Sequence, residues 1–236
     1  MAQAVDRLLL WSNSDEYICR YVVTPNVDHV VKLQGNVDFK AAYNDADLVV
    51  VDGNPILFAS RLLGKPLPET VPGSDLCPAL FEAANQGGGL RVFLLGAAEG
   101  VGERAAAAIQ ARWPKVSICG VYSPPMGFSV NTSSSNIALE KINAAKPDVL
   151  VVGLGAPKQE IWVHAMRHAL QVKVALCTGA TIDFLAGEKK RAPAWIRRIK
   201  MEWLHRALSE PGRLLGRYLY DAWVFPRLLI KEWIRR

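Results

Sequence analysis

Two hydrophobic rhythms alternate along this chain. Short apolar runs rich in β-branched residues recur at 17–23, 47–51, 91–95, 116–121, 149–152 and 172–177. Between them, apolar residues fall at helical spacing over 27–33, 39–46, 56–63, 78–85, 103–112, 137–145 and 158–170. Runs this short and this uniformly apolar predict strands covered on both faces. Asn36 or Asp38 suits the cap of the second helix. Segments 67–75 and 123–135, broken by Pro, Gly and Ser, read as loops. Strand and helix alternate about every 25 to 30 residues. That rhythm predicts an α/β, Rossmann-like fold: a doubly wound, mostly parallel sheet binding ligands at its strand carboxyl ends.

The stretch 147–160, PDVLVVGLGAPKQE, shows the unit most plainly. A buried strand ends at Gly153-Leu154-Gly155, and Pro157 suits the first turn of the helix that follows. Such a turn offers N–H groups and the positive end of a helix dipole to an anion or a sugar. On that helix Glu160, His164 and His168 recur at i, i+4, i+8, beside Ile161, Ala165 and Ala169. The reading is a solvated polar stripe next to an apolar face, with zinc binding by the histidines a weaker alternative.

Charge divides the chain. Residues 187–236 carry 13 Lys/Arg against 5 Asp/Glu, leaving 15 against 17 in residues 1–186. Four of the seven tryptophans, Trp195, Trp203, Trp223 and Trp233, lie in the same basic region. This predicts a catalytic α/β domain over 1–194 and a basic, aromatic helical appendage over 195–236. Within the appendage, YLYDAWVFPRLLI (218–230) is apolar but interrupted by Asp221, Pro226 and Arg227, and flanked by Arg213, Arg217, Lys231, Arg235 and Arg236. It suits a segment lying in a membrane surface. A helix hairpin packed on the core, or a subunit interface making a homo-oligomer, stands beside that reading. Apolar bulk argues against a nucleic-acid groove. Cys19, Cys77, Cys119 and Cys177 are too scattered for a metal cluster and read as reduced core thiols of a cytoplasmic protein. No signal peptide and no transmembrane helix is predicted.

Candidate chemistry concentrates at strand ends. Asp52 closes the run VVVDGNP, where a carboxylate serves as a general base or, alternatively, caps the next helix or an Asx turn. Asp45-Ala46-Asp47 has the DxD form of metal-bound nucleotide sites but precedes its strand, at the wrong end of the sheet. GLGAPK lacks the third glycine of a dinucleotide fingerprint, and GAAEGVGE lacks the Lys-Ser/Thr of a P-loop. Neither a nicotinamide dehydrogenase nor a P-loop NTPase is indicated.

Seven ordered motifs carry a resemblance: TPN (24–26), the DG of VVVDGNP, GSDL (73–76), GAPKQE (155–160), TGATIDFLAG (178–187), RAP (191–193) and EWLHR…EPGR (202–213). Together they resemble the WecG/TagA/CpsF glycosyltransferases of bacterial surface-polysaccharide synthesis, from about Tyr17 to about Tyr218. The resemblance implies an inverting, metal-independent and cofactor-free transfer of a sugar from a UDP donor to a polyprenyl-diphosphate-linked sugar. It makes Asp52 the general base and puts Thr24 and Asn26 in the sugar or acceptor pocket. Gln159 becomes a donor-binding glutamine and Asp183 the partner of the uridine ribose. Arg191, Arg206, Arg213 and Arg217 become ligands of the diphosphates. The protein would work at the inner face of the cytoplasmic membrane. Thr70 stands where the family usually carries arginine, which leaves N-acetylmannosamine and glucose both open as donor. A non-catalytic nucleotide-sugar-binding protein of the same fold is the alternative.

Overall fold

The computed structural model describes residues 1–189, 192–193 and 211–235, apart from the side chains of Pro211 and Arg213. The predicted boundary near residue 195, together with Trp195 and Trp203, lies outside the described residues.

Six parallel strands form one sheet: β1 (Arg20–Val23), β2 (Leu48–Val49), β3 (Leu90–Gly96), β4 (Val116–Tyr122), β5 (Val149–Gly153) and β6 (Val174–Cys177). Their order is β2-β1-β6-β5-β3-β4. Among the described residues the helices are α1 (Ala2–Ser12), α2 (Val27–Lys32), α3 (Val37–Asn44), α4 (Asn54–Leu62), α5 (Gly73–Gln86), α6 (Val101–Arg112), α7 (Ser133–Ala145), α8 (Lys158–Met166), α9 (Thr181–Leu185) and α10 (Pro211–Ile234).

Side chains alternate across the sheet, so each central strand feeds two cores. Val22, Val92, Leu94, Val149, Val151, Val174 and Leu176 face one layer with α1, α5, α6 and α9. Tyr21, Val23, Phe93, Leu95, Leu150, Val152, Ala175 and Cys177 face the other with α7 and α8. Burial on both faces is why these runs carry no polar alternation. At the strand ends β1 runs on to α2 and its neighbour β6 to α9, on opposite faces of the sheet. Diverging connections between adjacent strands open a crevice at the carboxyl edge.

Several elements depart from the sequence expectation. α5 begins at Gly73, inside the segment read as loop, because Pro72 takes the cap position and Pro78 is accommodated within the helix. α1 buries Ala4, Val5 and Leu8, in a segment to which the sequence pattern assigned no element. β2 is a two-residue edge strand with Val49 half exposed. α8 ends at Met166, leaving His168 beyond it. Its buried face is not the predicted one: Gln159, Glu160, Trp162 and Val163 are buried and Ala165 and Ala169 exposed, while of the predicted polar stripe His164 is half-buried and His168 exposed. Trp162 decides the rotation, its indole lying against Phe128 and donating to Ser135 Oγ at 2.7 Å. All four cysteines are free thiols.

Among the described residues no helix is long and apolar enough to cross a membrane. α10 lies against α2 and buries Leu214 and Asp221. It leaves Leu219, Tyr220, Trp223, Ile230, Trp233 and Ile234 more than half exposed.

Candidate functional site

A cavity of about 600 Å³ opens at the carboxyl ends of β1, β2, β5 and β6, with α10 forming one wall. Past β2 the chain stays extended. The Val50 N–H donates to the Val23 carbonyl (3.1 Å) and the Asp52 N–H to the Pro25 carbonyl (2.8 Å). These bonds lay Asp52 alongside the TPN turn, so Asp52, Thr24 and Asn26 all line the cavity. The cap of α4 is Gly53, whose φ of +112° suits glycine. Asp52 immediately precedes that cap residue. Thr24 Oγ1 donates to the Cys177 carbonyl (3.0 Å), joining the ends of β1 and β6. Asn26 caps α2, its Oδ1 accepting the His29 N–H at 3.2 Å.

The turns after β5 and β6 are held together from below. Gln159, only 1% exposed, lies on the floor. Its Oε1 accepts the N–H groups of both Gly155 and Gly179 (3.2 Å each), and its Nε2 donates to Glu160 Oε1 at 2.8 Å. The Gly155 N–H expected to greet an anion is thus already satisfied by an amide oxygen. The turns also press on one another: a Cβ at Gly153 would meet the Gly179 carbonyl oxygen at 2.9 Å. Across the mouth, the Val71 N–H donates to the Val51 carbonyl (2.7 Å). That bond brings Thr70 to the cavity wall.

On the α10 side the wall is charged. Asp28 on α2 pairs with Lys32 at 2.7 Å and with Arg217 at 3.7 Å. Asp221, one turn beyond Arg217, is 4% exposed, and among the described residues neither its carboxylate oxygens nor the buried Arg217 Nε has a hydrogen-bond partner. Burial, then the nearby Asp28, pushes the Asp221 carboxyl up to about 6. His29 lines the cavity, its Nδ1 2.6 Å from the Tyr43 hydroxyl. Burial lowers its pKa to about 4, so it is a neutral imidazole at neutral pH.

The remaining sites predicted from sequence fall elsewhere. Asp183 does not line the cavity, although the next residue, Phe184, does; its carboxylate is 3.3 Å from Lys189 Nζ. Arg191 and Arg206 lie outside the described residues, and Arg213 belongs to α10 with its side chain undescribed. Asp45 and Asp47 are taken up by ion pairs and hydrogen bonds within the fold. Asp45 accepts from His164 (2.9 Å), and Asp47 takes the Tyr21 N–H (2.9 Å) with Arg167 at 3.6 Å. Among the described residues no group of three or more His, Cys, Asp or Glu side chains is arranged to hold a metal. Asp28, His29 and Asp221 are cavity residues that sequence reasoning did not single out. The cap at Asn26 was the available signal for the first two, since it turns the first residues of α2 toward the strand ends.

A half-buried carboxylate, a hydroxyl, side-chain amides and a guanidinium thus share one cleft. That set can take a proton from a hydroxyl and neutralise a leaving anion. Sequence comparison is consistent with this. The family described as "Glycosyl transferase WecG/TagA/CpsF family" matches residues 1–236. An N-acetylglucosaminyldiphosphoundecaprenol N-acetyl-β-D-mannosaminyltransferase of Bacillus spizizenii is 33% identical over 193 residues, covering 82% of this chain and 72% of its own. A protein of the same name from Staphylococcus aureus is 31% identical over 214 residues, covering 91% of this chain and 82% of its own.

Proposed function

The chain belongs to the WecG/TagA/CpsF glycosyltransferase family, and from that premise we propose that it transfers a sugar from a UDP donor to a polyprenyl-diphosphate-linked sugar with inversion. The observation that carries this reading is the meeting of Asp52 with Thr24, Asn26, Gln159 and Arg217 around one cavity, from positions scattered over nearly the whole chain. Asp52 takes the proton of the acceptor hydroxyl as that oxygen attacks the anomeric carbon. The bond from that carbon to UDP breaks on the opposite face, so one displacement inverts the centre. Arg217 neutralises the departing diphosphate, with Arg191, Arg206 and Arg213 assigned the same task. Thr24 and Asn26 hold the sugar or acceptor, and Asp183, beside Phe184 of the wall, is assigned to the ribose hydroxyls.

The relatives' names specify N-acetylmannosamine as the sugar moved and an N-acetylglucosaminyl-diphosphoundecaprenol as its recipient. Both are the leading candidates here. Thr70 supports a second donor, glucose, because the wall lacks a cation where the family usually has one. The exposed aromatic and aliphatic side chains of α10, with Arg227, Lys231 and Arg235, suit docking on the inner face of the cytoplasmic membrane, where such an acceptor resides.

Turnover over a panel of UDP-sugars with a lipid-linked N-acetylglucosamine acceptor, with the anomeric configuration of the product determined, tests the reading. Inverted product from UDP-N-acetylmannosamine or UDP-glucose supports it. Binding of UDP-sugars with no transfer to any acceptor would favour a non-catalytic binding protein.

A further inference from the structure

Glu160 is the most deeply buried carboxyl beside the cavity and has no part in the chemistry above. It is 0% exposed; Oε1 accepts from Gln159, and Oε2 has no hydrogen-bond partner among the described residues. A buried carboxyl with an unused oxygen carries a desolvation cost that an apolar residue of similar size would avoid. Its position explains what it contributes. The Gln159 side-chain amide can be turned either way about its last bond, and only one way brings Oε1 to the Gly155 and Gly179 N–H groups. In the other, an NH2 group would face those two donors. An acceptor oxygen at the opposite end of the amide disfavours that orientation.

We propose that Glu160 is a positioning residue for the donor side of the pocket. Its Oε1 holds the Gln159 amide in the orientation that pins the Gly155 and Gly179 turns together, and so shapes the floor on which the nucleotide-sugar lies. This rests on the glycosyltransferase reading for its substrate, but the clamp itself does not. The flanking residues Ala156 and Ala180 line the cavity, so release of either turn alters its shape directly. A protonation consequence follows. Burial pushes the Glu160 carboxyl up to about 7, opposed by the bond from Gln159 and by Lys32 and reinforced by Asp28. Tyr43 from α3 and Cys177 from β6 also face it. Ionisation above neutrality sets a negative charge beneath the site of a dianionic diphosphate and weakens its binding.

Two variants separate this from a packing role. Glu160→Gln keeps an acceptor oxygen and removes the titration; Glu160→Leu keeps the bulk and removes the acceptor. Amide hydrogen exchange is followed at Gly155 and Gly179, and KM for UDP-N-acetylmannosamine or the preferred donor is followed from pH 6 to 8.5. Glu160→Leu is expected to exchange faster at both glycines and to raise the donor KM about tenfold, the effect of one lost buried hydrogen bond, with kcat little changed. Glu160→Gln is expected to retain wild-type protection and wild-type KM at pH 6, and to lose the rise in KM that the wild type shows above pH 7. Wild-type protection in Glu160→Leu, or superimposable pH profiles for the wild type and Glu160→Gln, would overturn the proposal. Should Glu160→Leu fail to fold, the profile of Glu160→Gln decides. If the wild type turns over no UDP-sugar, the function reading fails and the exchange measurement still judges the clamp.

Discussion

Substitution of Gly73 by alanine makes the sharpest structural prediction. Gly73 opens α5 and its α-carbon faces the turn after β6. An added Cβ would lie 2.7 Å from Thr178 Cβ, 2.8 Å from its Cγ2 and 3.0 Å from its Cα, where ordinary contact begins near 3.4 Å. Neither side can yield freely. The Thr178 N–H donates to the Val152 carbonyl (3.2 Å), its own carbonyl accepts from Thr181 Oγ1 (2.8 Å), and its Oγ1 lies 3.8 Å from Cys77 Sγ. Overpacking of a well-packed site costs about 1–3 kcal/mol, offset by about 0.4–1 kcal/mol from the stiffer unfolded chain. A net loss of about 1–2 kcal/mol should lower Tm by roughly 3–6 °C for a chain of this size. Because Thr178 and Ser74 both line the cavity, the donor KM should rise as well. Thermal unfolding and steady-state kinetics of Gly73→Ala are to be compared with Gly35→Ala, whose new Cβ meets nothing within 4 Å. Equal Tm and KM for the two variants would refute the reasoning.

Three further outcomes are expected. Burial lowers the pKa of His29 to about 4 from its ordinary 6.5. The stability that its neutral form contributes is therefore complete above pH 6.5 and is lost as pH falls toward 4, by at most about 3 kcal/mol. Denaturation of His29→Gln should be less acid-sensitive than that of the wild type over this window, and parallel stability curves would contradict the assignment. The raised pKa values of Glu160 and Asp221 act with the opposite sign, which is why the difference between the two proteins is the quantity to read. On α10, Trp223→Ser with Trp233→Ser should weaken sedimentation with anionic vesicles while leaving UDP binding unchanged; undiminished vesicle binding would count against membrane docking through this face. Thr70→Arg, restoring a cation to the wall, should lower KM for the UDP-sugar about tenfold, since a hydrogen bond to a charged group contributes about 1.5–3 kcal/mol. An unchanged KM would mean that no diphosphate passes near residue 70.

The sheet was legible in the sequence because its central strands are buried on both faces. An unbroken run such as Val149–Gly153 has few other readings. The cavity was legible in part for the same reason: Thr24 follows β1 directly, Asp52 comes three residues after β2 and Gln159 opens the helix after β5, and a parallel sheet gathers those ends at one edge. What escaped was decided by single tertiary contacts. The rotation of α8 hangs on Trp162 reaching Ser135, which buries a glutamate that periodicity assigned to solvent. The start of α5 depends on Gly73 fitting against Thr178, a contact between residues more than a hundred positions apart. Asp221 reads locally as a break in an apolar stretch, and only the approach of α10 to α2 makes it part of a charged wall. The role of Gln159 needed coordinates too, since composition cannot say which partner an amide has already taken.

The central claim is that Asp52 is the base of a glycosyl transfer carried out in this cavity. Its most direct test is turnover of Asp52→Asn with UDP-sugar and lipid-linked acceptor, with UDP affinity measured on the same preparation. The carboxylate and the amide have nearly the same shape, so binding should be preserved while kcat falls about 10²–10⁴-fold, the usual contribution of a positioned general base. Near-wild-type turnover with intact UDP binding would contradict the account.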